Sequence, residues 1–566
     1  MAISFLTWGY TMAKPLQEVT LRIIGTTDVH GSFFPYDFIN RKPAKGSLAQ
    51  VSTYVKNLRR LYGDKVILLD NGDILQGQPI AYYYNYIDTV STHVVADMFN
   101  YMQYDAVNIG NHDIETGHSV YDRWIAQLKM PVLGANVLRE TDGSNYLPPY
   151  KVLTKEGVKV VILGLTTPAI PSWLPKQLWS GLYFEEMEVA AKKWVQWIKE
   201  KEHPDVLIGI FHAGTAGNIL GGVVENASQN IATRIPGFDM ILMGHDHKTA
   251  CTKVENLLGD SVLLINPANG ARNIADVTIK VQKQQGNIKK TVQGKLVDVR
   301  DSGVDKSFIY KFQSHFDATK EFVSKKIGHI DRTISAVDAF FGSSAFVDLI
   351  HQMQLDLTGA DISFCAPLSP TATIREGDIF MSDMFNLYKY ENMLYVMQLT
   401  GKEIKNYLEM SYALWTAQMS SPTDHLLLLN TEEGERGRFQ NPTYNFDSAA
   451  GICYTVDVTK PQGEKIHILS MADGSLWEED KTYKVAVNSY RGNGGGDLLT
   501  KGAGIPKSEL SNRIIYATTK DLRYYLMKRI EELGELHPSP MNQWKFIPEE
   551  WVKAATQKDR RIVFNQ

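Results

Sequence analysis

Three cysteines in 566 residues cannot staple a fold of this length, and Cys251, Cys365 and Cys453 stand far apart. No Cys-x-x-Cys spacing occurs, which excludes a zinc ribbon or a dithiol redox motif and leaves small buried side chains as the reading. Beyond the first residues, no stretch approaches the ~18 apolar residues of a membrane-spanning helix. Excess charge is lacking too: 59 Lys and Arg stand against 63 Asp and Glu, a net charge of -4, with no basic run. The field that a nucleic-acid polymer or an anionic membrane surface requires is therefore missing. An anionic substrate must find its counter-charge concentrated at one site. Repeats and low-complexity segments are absent as well.

What is present is an ordinary globular composition, 44% hydrophobic and 22% charged, in a chain too long for one core. The first residues, Ile3 to Ala13, are uncharged and mostly apolar, and Thr11 and Ala13 suit cleavage after small residues. Residues 1–17 thus read as a leader. If it is the remnant of a secretory signal, the protein is periplasmic, cell-surface or secreted; if it is not, cytoplasmic.

From 18 to about 300, short β-branched runs alternate with helical patterns, the mark of a layered α/β domain. Strands are expected at Thr20 to Thr27, Lys65 to Asp70, Val158 to Thr166, Asp205 to Phe211 and Asp239 to Met243. Leu48, Val51, Val55, Leu58 and Leu61 recur at helical spacing, and Gly63 ends that helix. Residues 301–332 read as a helical connector. A second domain over 333–535 opens with a helix from Ser344 to Leu357, has strands around Leu394 to Leu399, Gly451 to Val458 and Lys484 to Asn488, and closes with a helix from Lys520 to Leu533. The tail, 536–566, carries little pattern.

Five polar clusters each follow a strand-like run, where open α/β sheets place ligands. They are Asp28-Val29-His30, Gly72-Asp73, Gly110-Asn111-His112-Asp113, His212 before Ala213-Gly214, and Gly244-His245-Asp246-His247. One such histidine alone is more often a hydrogen-bonded structural residue. Carboxylate, imidazole and amide groups recurring in one topological position, without thiolates, suit a pair of divalent transition ions. Two such ions would clamp the attacking and departing oxygens of an in-line displacement at phosphorus. Zn, Mn, Co, Ni and Fe all accept this donor set.

The ordered set Asp-x-His, Gly72-Asp73-Ile74-Leu75-Gln76-Gly77, Gly-Asn-His-Asp, His and Gly-His-x-His resembles the calcineurin-like metallophosphoesterases, and within them the nucleotidase branch, from about Leu21 to Leu533. The resemblance implies a β-sandwich flanked by helices, joined through the connector to an α+β nucleotidase C-terminal domain. It implies that Asp28, His30, Asp73 and His247 hold one metal and Asp73, Asn111, His212 and His245 the other. It makes His112 the group that stabilises or protonates the leaving oxygen. A carboxylate should orient His112; the family often places Asp three positions on, where this chain has Glu115, and Asp113 is the adjacent alternative. Asp246 reads as a solvated or outer residue.

The second domain resembles the nucleotidase specificity domain, in which two aromatic rings sandwich a base. Tyr390, with Asn392, and Tyr490, with Arg491 and Asp497, occupy the matching positions. The competing interpretation is that both tyrosines are core residues, since 27 tyrosines are present. Members acting on 5′-nucleotides usually carry Asn-Gly-Gly-x-Ile-Arg, whose arginine grips phosphate; here the stretch is Ala366-Pro367-Leu368-Ser369-Pro370-Thr371. Leu387 to Asn392, Tyr444 to Asp447 and Tyr490-Arg491 with the Gly494 to Gly496 run resemble instead the bacterial 2′,3′-cyclic-nucleotide 2′-phosphodiesterase/3′-nucleotidase group. The glycine run is expected to let the backbone pass close to the bound base. The implied activity is hydrolysis of 2′,3′-cyclic and 3′-nucleotides. The rivals are a 5′-nucleotidase or UDP-sugar hydrolase on the same centre, and a catalytically silent, secreted nucleotide-binding protein.

Overall fold

A computed structural model describes residues 17–284, 287–430 and 438–565; the leader, apart from Gln17, lies outside the described residues. The chain forms two compact units. One takes the chain up to Asp37, Lys42–Ala169 and Trp179–Phe316; the other takes Phe38–Arg41, Ile170–Leu178 and the chain from Asp317.

Twelve strands of the first unit matter for the site. They are β1 (Gln17–Thr26), β2 (Val66–Asp70), β3 (Ala106–Asn108), β4 (Val132–Leu133), β5 (Tyr150–Lys155), β6 (Val158–Thr166), β7 (Val206–His212), β8 (Met240–Met243), β9 (Thr249–Glu255), β10 (Ser261–Pro267), β11 (Asn273–Gln284) and β12 (Asn287–Asp298). They build two six-stranded sheets, ordered β12-β11-β1-β2-β3-β4 and β9-β10-β8-β7-β6-β5. The centre of each sheet is parallel; antiparallel strands close both edges of the second sheet and the β12 edge of the first, whose other edge strand, β4, pairs in parallel.

Side-chain alternation explains why the central strands read as unbroken apolar runs. Ile208 and Ile210 of β7 join Leu21, Ile23, Ile67, Leu69, Ile162 and Leu242 in one core between the sheets. Their neighbours Leu207 and Phe211 face the other way, onto Met187, Val195 and Ile198 of helix α2 (Met187–Lys201). Strands covered on both faces need no polar side. The first helix, α1 (Leu48–Tyr62), buries Leu48, Val51, Val55 and Leu58 and ends on Gly63, whose φ of 60° suits glycine. Leu61, expected in the apolar stripe, is 77% exposed in the last turn. Of the cysteines only Cys365 is buried; Cys251 is exposed on the outer strand β9.

In the second unit, the expected opening helix is α3 (Ala345–Thr358), capped by the Ser344 hydroxyl. Its main sheet uses β13 (Ile362–Cys365), β14 (Met393–Thr400), β15 (Ser448–Ala450), β17 (Thr482–Asn488) and β18 (Ile514–Asp521), in the order β15-β13-β17-β14-β18. Strand β16 (Ile452–Asp457) lies in a separate three-stranded sheet. Helix α4 (Gly401–Trp415) starts with a capping box between Thr400 and Glu403 and sinks Tyr407, Tyr412 and Trp415 into the core. Helix α5 (Leu522–Leu533) matches the closing helix in type and place. The segment after His537 is integral to the core. Its strand β19 (Trp544–Ile547) pairs in parallel with β16 and contributes Trp544 and Phe546.

Because Ile210 is fully buried between the two sheets, Ile210→Ala is expected to cost the first unit about 2–5 kcal/mol. Urea unfolding followed by circular dichroism reads this as an earlier transition.

Candidate metal centre and aromatic site

Register brings the five clusters together. Thr26 at the end of β1 lies opposite Asp70, Asp70 opposite Val107, Phe211 opposite Met243 and His212 opposite Thr166, so the loops carrying the clusters leave from neighbouring strand ends. Two buried amides tie the sheets at this edge. Asn108 Nδ2 donates to Leu165 O (2.7 Å) and Ile210 O (3.0 Å), and Asn71 Nδ2 donates to Phe211 O (2.8 Å).

The backbone there is strained. Asp28, His30, Asp73, His245 and His247 adopt φ of 49°, 50°, 57°, 71° and 55°, a region costing non-glycine residues of order 1–3 kcal/mol each. Such turns aim successive side chains at one point. They also demand small neighbours: a Cβ on Gly110 would lie 2.2 Å from Asp73 Oδ1, and one on Gly244 would lie 2.2 Å from Thr27 Oγ1.

Two groups of donors result. In the first, Asp28, His30 and His247 converge, with His247 Nε2 3.0 Å from His30 Nε2 and 3.3 Å from Asp28 Oδ1. In the second, Asp73, His212 and His245 converge. Asp73 Oδ2 lies 3.1 Å from His212 Nε2, and Asn111 Oδ1 lies 3.1 Å from His212 Nε2 and 2.8 Å from His245 Nδ1. The remote nitrogens are engaged elsewhere. His30 Nδ1 is 3.0 Å from Gln76 O and His212 Nδ1 2.8 Å from Asn71 O, so each ring donates there and turns its Nε2 inward.

These residues fit divalent cations. Asp73 Oδ2 is buried without a hydrogen bond, while Oδ1 accepts the His112 N–H at 2.8 Å. An oxygen left so inside a protein needs another partner. Inward-facing imidazole nitrogens, whose protons a cation would displace, and two buried carboxylates, with no sulfur, match the borderline first-row ions.

The charges respond to one another. Burial alone would raise the Asp28 and Asp73 carboxyls, yet the adjacent imidazoles, His247 and His212 foremost, hold both below the usual range. Burial likewise disfavours charged imidazoles, and it takes His30 down to about 4. At His212 and His112 it is outweighed by carboxylates, Asp73 foremost, which push them up to about 10 and about 9. This edge of the sandwich is a concentrated negative field.

Glu115 is the partner of His112: its Oε2 lies 2.5 Å from Nδ1. Asp113, the other candidate, is turned away. Its carboxylate accepts the backbone N–H groups of Gly110, Asp73, Ile74 and Leu75 at 2.8–3.0 Å, so it shapes the loops instead of orienting the imidazole. Asp246 accepts from Asn266 Nδ2 and Lys248 N, outside both groups.

In the second unit, three tyrosines cluster. Tyr444 is perpendicular to both Tyr390 (centroids 6.2 Å apart, 87°) and Tyr490 (6.0 Å, 89°). The glycine run serves this packing, because a Cβ on Gly495 would strike the Tyr490 ring at 2.5 Å.

Arg491 is not available to a substrate. It is fully buried, and its N–H groups go to both Asp447 oxygens, Asn445 Oδ1, Tyr444 O and Gly495 O at 2.7–3.2 Å. It is the post on which the tyrosine-bearing loops hang. Asn392 is buried beside the Tyr388 hydroxyl, and Asp497, at φ 62°, pairs with Lys501 at 2.7 Å.

Sequence reasoning overlooked Tyr444 as part of this cluster. In the first unit it overlooked Glu225, 2.7 Å from His245 Nε2, and Asn269, 3.1 Å from His247 Nδ1. Neither residue adjoins a motif, and nothing local marks them. Asn71 and Asn108 could have been found, since polar residues ending apolar strands beside Gly72 and Gly110 call for a reason.

Residues 21–249 match the family model of the calcineurin-like phosphoesterases, and residues 326–501 match that of the 5′-nucleotidase C-terminal domain. The chain is 26% identical to the trifunctional nucleotide phosphoesterase protein YfkN of Bacillus subtilis over 94% of its own length, and spans 39% of that protein. It is 24% identical to the 2′,3′-cyclic-nucleotide 2′-phosphodiesterase/3′-nucleotidase of Haemophilus influenzae, over 95% of this chain and 89% of the relative. A Staphylococcus aureus chain solved as a candidate 5′-nucleotidase superposes with a TM-score of 0.77 at 21% identity, covering 93% of this chain and 100% of that one, a likeness of fold.

Since a Cβ on Gly110 would occupy the space of Asp73 Oδ1, Gly110→Ala is expected to lower the divalent metal retained after dialysis without changing the far-ultraviolet circular dichroism. Elemental analysis of the dialysed protein checks it.

Proposed function

We propose, on the premise that this chain belongs to the calcineurin-like phosphoesterases carrying a 5′-nucleotidase C-terminal domain, that it hydrolyses 2′,3′-cyclic nucleotides and 3′-nucleotides to nucleosides and phosphate. The observation that carries the chemistry is the buried Asp73 Oδ2, which accepts no hydrogen bond and faces His212 Nε2 at 3.1 Å among the donors of two His/carboxylate groups. Asp28, His30, Asp73 and His247 would hold one divalent ion, and Asp73, Asn111, His212 and His245 a second. The chemistry such ions supply when bound is Lewis-acid stabilisation of the charge that phosphoryl transfer gathers on oxygen.

The chain's own groups do the rest. His112 rings with His30 at 5.6 Å, which sets it beside the first donor group. With Nδ1 held by Glu115, Nε2 is the atom left to carry a proton to the departing sugar oxygen. Glu115 keeps the ring oriented and favours its charged form. The strained turns fix these groups before substrate arrives, so little reorganisation is needed during reaction.

Nucleotide choice is assigned to the tyrosine cluster, with Tyr390 and Tyr490 stacking on the base. The preference for cyclic and 3′ substrates is supported by two facts. The stretch from Ala366 to Thr371 lacks the arginine expected of 5′-nucleotide hydrolysis, and Arg491 cannot replace it because its donors are spent inside the protein. A cyclic diester carries one negative charge where a monoester carries up to two, so it needs fewer extra cations. The relative from Haemophilus influenzae, aligned over nearly the whole of both chains, bears the name of this activity.

His112→Ala is expected to keep the bound metal but slow hydrolysis of nucleotides by about 10²–10⁴-fold, with nitrophenyl esters, whose leaving group needs no proton, much less affected. An equal loss on both would remove the acid role. Turnover is expected to fall in the order 2′,3′-cyclic AMP and 3′-AMP well above 5′-AMP. Tyr390→Ala or Tyr490→Ala should raise KM for these nucleotides by roughly 5- to 150-fold and leave bis-nitrophenyl phosphate unchanged. A dominant 5′-AMP activity would replace this reading with the 5′-nucleotidase one.

A further inference from the structure

His245 differs from the other histidines of the centre in what stands behind it. His30 and His212 lean on backbone carbonyl oxygens, and His247 on the amide of Asn269. His245 leans on a carboxylate: its Nε2 is 2.7 Å from Glu225 Oε1, with both side chains largely buried. A carboxylate oxygen accepts, so Nε2–H donates to Glu225, and Nδ1, 2.8 Å from Asn111 Oδ1, is the nitrogen aimed at the second donor group.

Glu225 reaches that place because a hairpin delivers it. Strands Gly217–Leu220 and Val223–Asn226 pair in antiparallel fashion. Asn226 Oδ1 accepts the Gly214 N–H at 2.6 Å, anchoring the hairpin two residues beyond His212. Gly214 must be glycine for this, as a Cβ there would lie 2.6 Å from Asp246 Oδ2 and 2.7 Å from Asn226 Oδ1. The second oxygen of Glu225 accepts from the Asn218 amide on the opposite strand, which fixes the carboxylate plane. Three side chains of the hairpin, at 218, 225 and 226, thus converge on the metal-site loops.

We propose that Glu225 is a positioning residue that holds the His245 proton on Nε2, so that Nδ1 serves the metal, and, by adding carboxylate character to this one imidazole, makes the Asp73/Asn111/His212/His245 position the tighter of the two metal positions. The inference rests on the two-ion reading above. Orienting partners of this kind are worth 10–100-fold in metal affinity, and a carboxylate raises the basicity of the imidazole more than a carbonyl does.

The experiment uses the full-length protein loaded with Mn²⁺, dialysed against a series of chelator concentrations, with metal content and the Mn²⁺ electron paramagnetic resonance spectrum recorded at each. Wild type is expected to lose one ion well before the other. Glu225→Gln, which keeps the shape and removes the charge, should shift only the tighter step, by about 10- to 100-fold, so the two steps merge. Asn218→Ser, which frees the carboxylate without touching His245, should shift the same step by less. A purely structural role would weaken both steps together, and that result overturns the proposal, as does an unchanged Glu225→Gln curve. Should Glu225→Gln fail to fold, Asn218→Ser decides alone, its unshifted or uniformly shifted curve being the contrary result. A wild type that retains no metal sinks the two-ion reading and this inference with it; two ions retained with no Glu225 effect sinks the inference only.

Discussion

Everything at the catalytic edge answers to one buried carboxylate. Asp73 spends one oxygen on the His112 backbone and turns the other, which accepts no hydrogen bond, toward His212 Nε2 and the second donor group. To keep a charge of this kind inside a protein, opposite charge must be near, and the protein provides imidazoles on every side. The left-handed turns at Asp28, His30, Asp73, His245 and His247 are what that convergence costs in backbone energy. The two-sheet core offsets them. Asn71 and Asn108 convert the stability of that core into a fixed separation of the two strand ends.

The second unit solves a related problem with the opposite outcome. Its buried charge, Arg491, is satisfied in full by Asp447 and by carbonyl groups of the tyrosine-bearing loops. Truncating one member of such a pair leaves the other uncompensated, so the pair acts as a structural rivet. What it rivets is the Tyr444 and Tyr490 part of the aromatic cluster, while Arg523 holds the carbonyls of Tyr388 and Lys389 beside Tyr390; Tyr390 and Tyr490 each stand at right angles to Tyr444. In the stacking role proposed for them, a flat base lying on either ring would be perpendicular to Tyr444. Stacking of this kind tolerates many bases. The contrast between the units is chemical: an unspent oxygen marks the place for a cation, whereas a fully spent arginine marks scaffold.

Much of the fold was legible because its signals are local. The central strands announced themselves as apolar runs, α1 by its spacing and by Gly63, and α3 by Ser344. The metal donors were legible for a related reason. The donors sit at or just after strand ends, and His30, Asp73, Asn111 and His245 sit next to a glycine, so strand end, small residue and donor recur as a short local pattern. Glu115 lay within reach of the same logic, since three residues along a helix bring it under His112; Asp113 is better placed for the loop amides.

The sequence by itself determined the order of elements and which residues stand as candidate donors, because each depends on neighbours along the chain. Tertiary structure alone decided which groups are spent and which remain. Arg491 and Tyr490 are adjacent residues with opposite fates, one sealed by Asp447 from 44 positions away, the other packed on Gly495 within the aromatic cluster. Glu225 came to His245 by a hairpin that no motif marks. Hydrogen-bond saturation is a property of distance in space, and residues far apart in sequence set it.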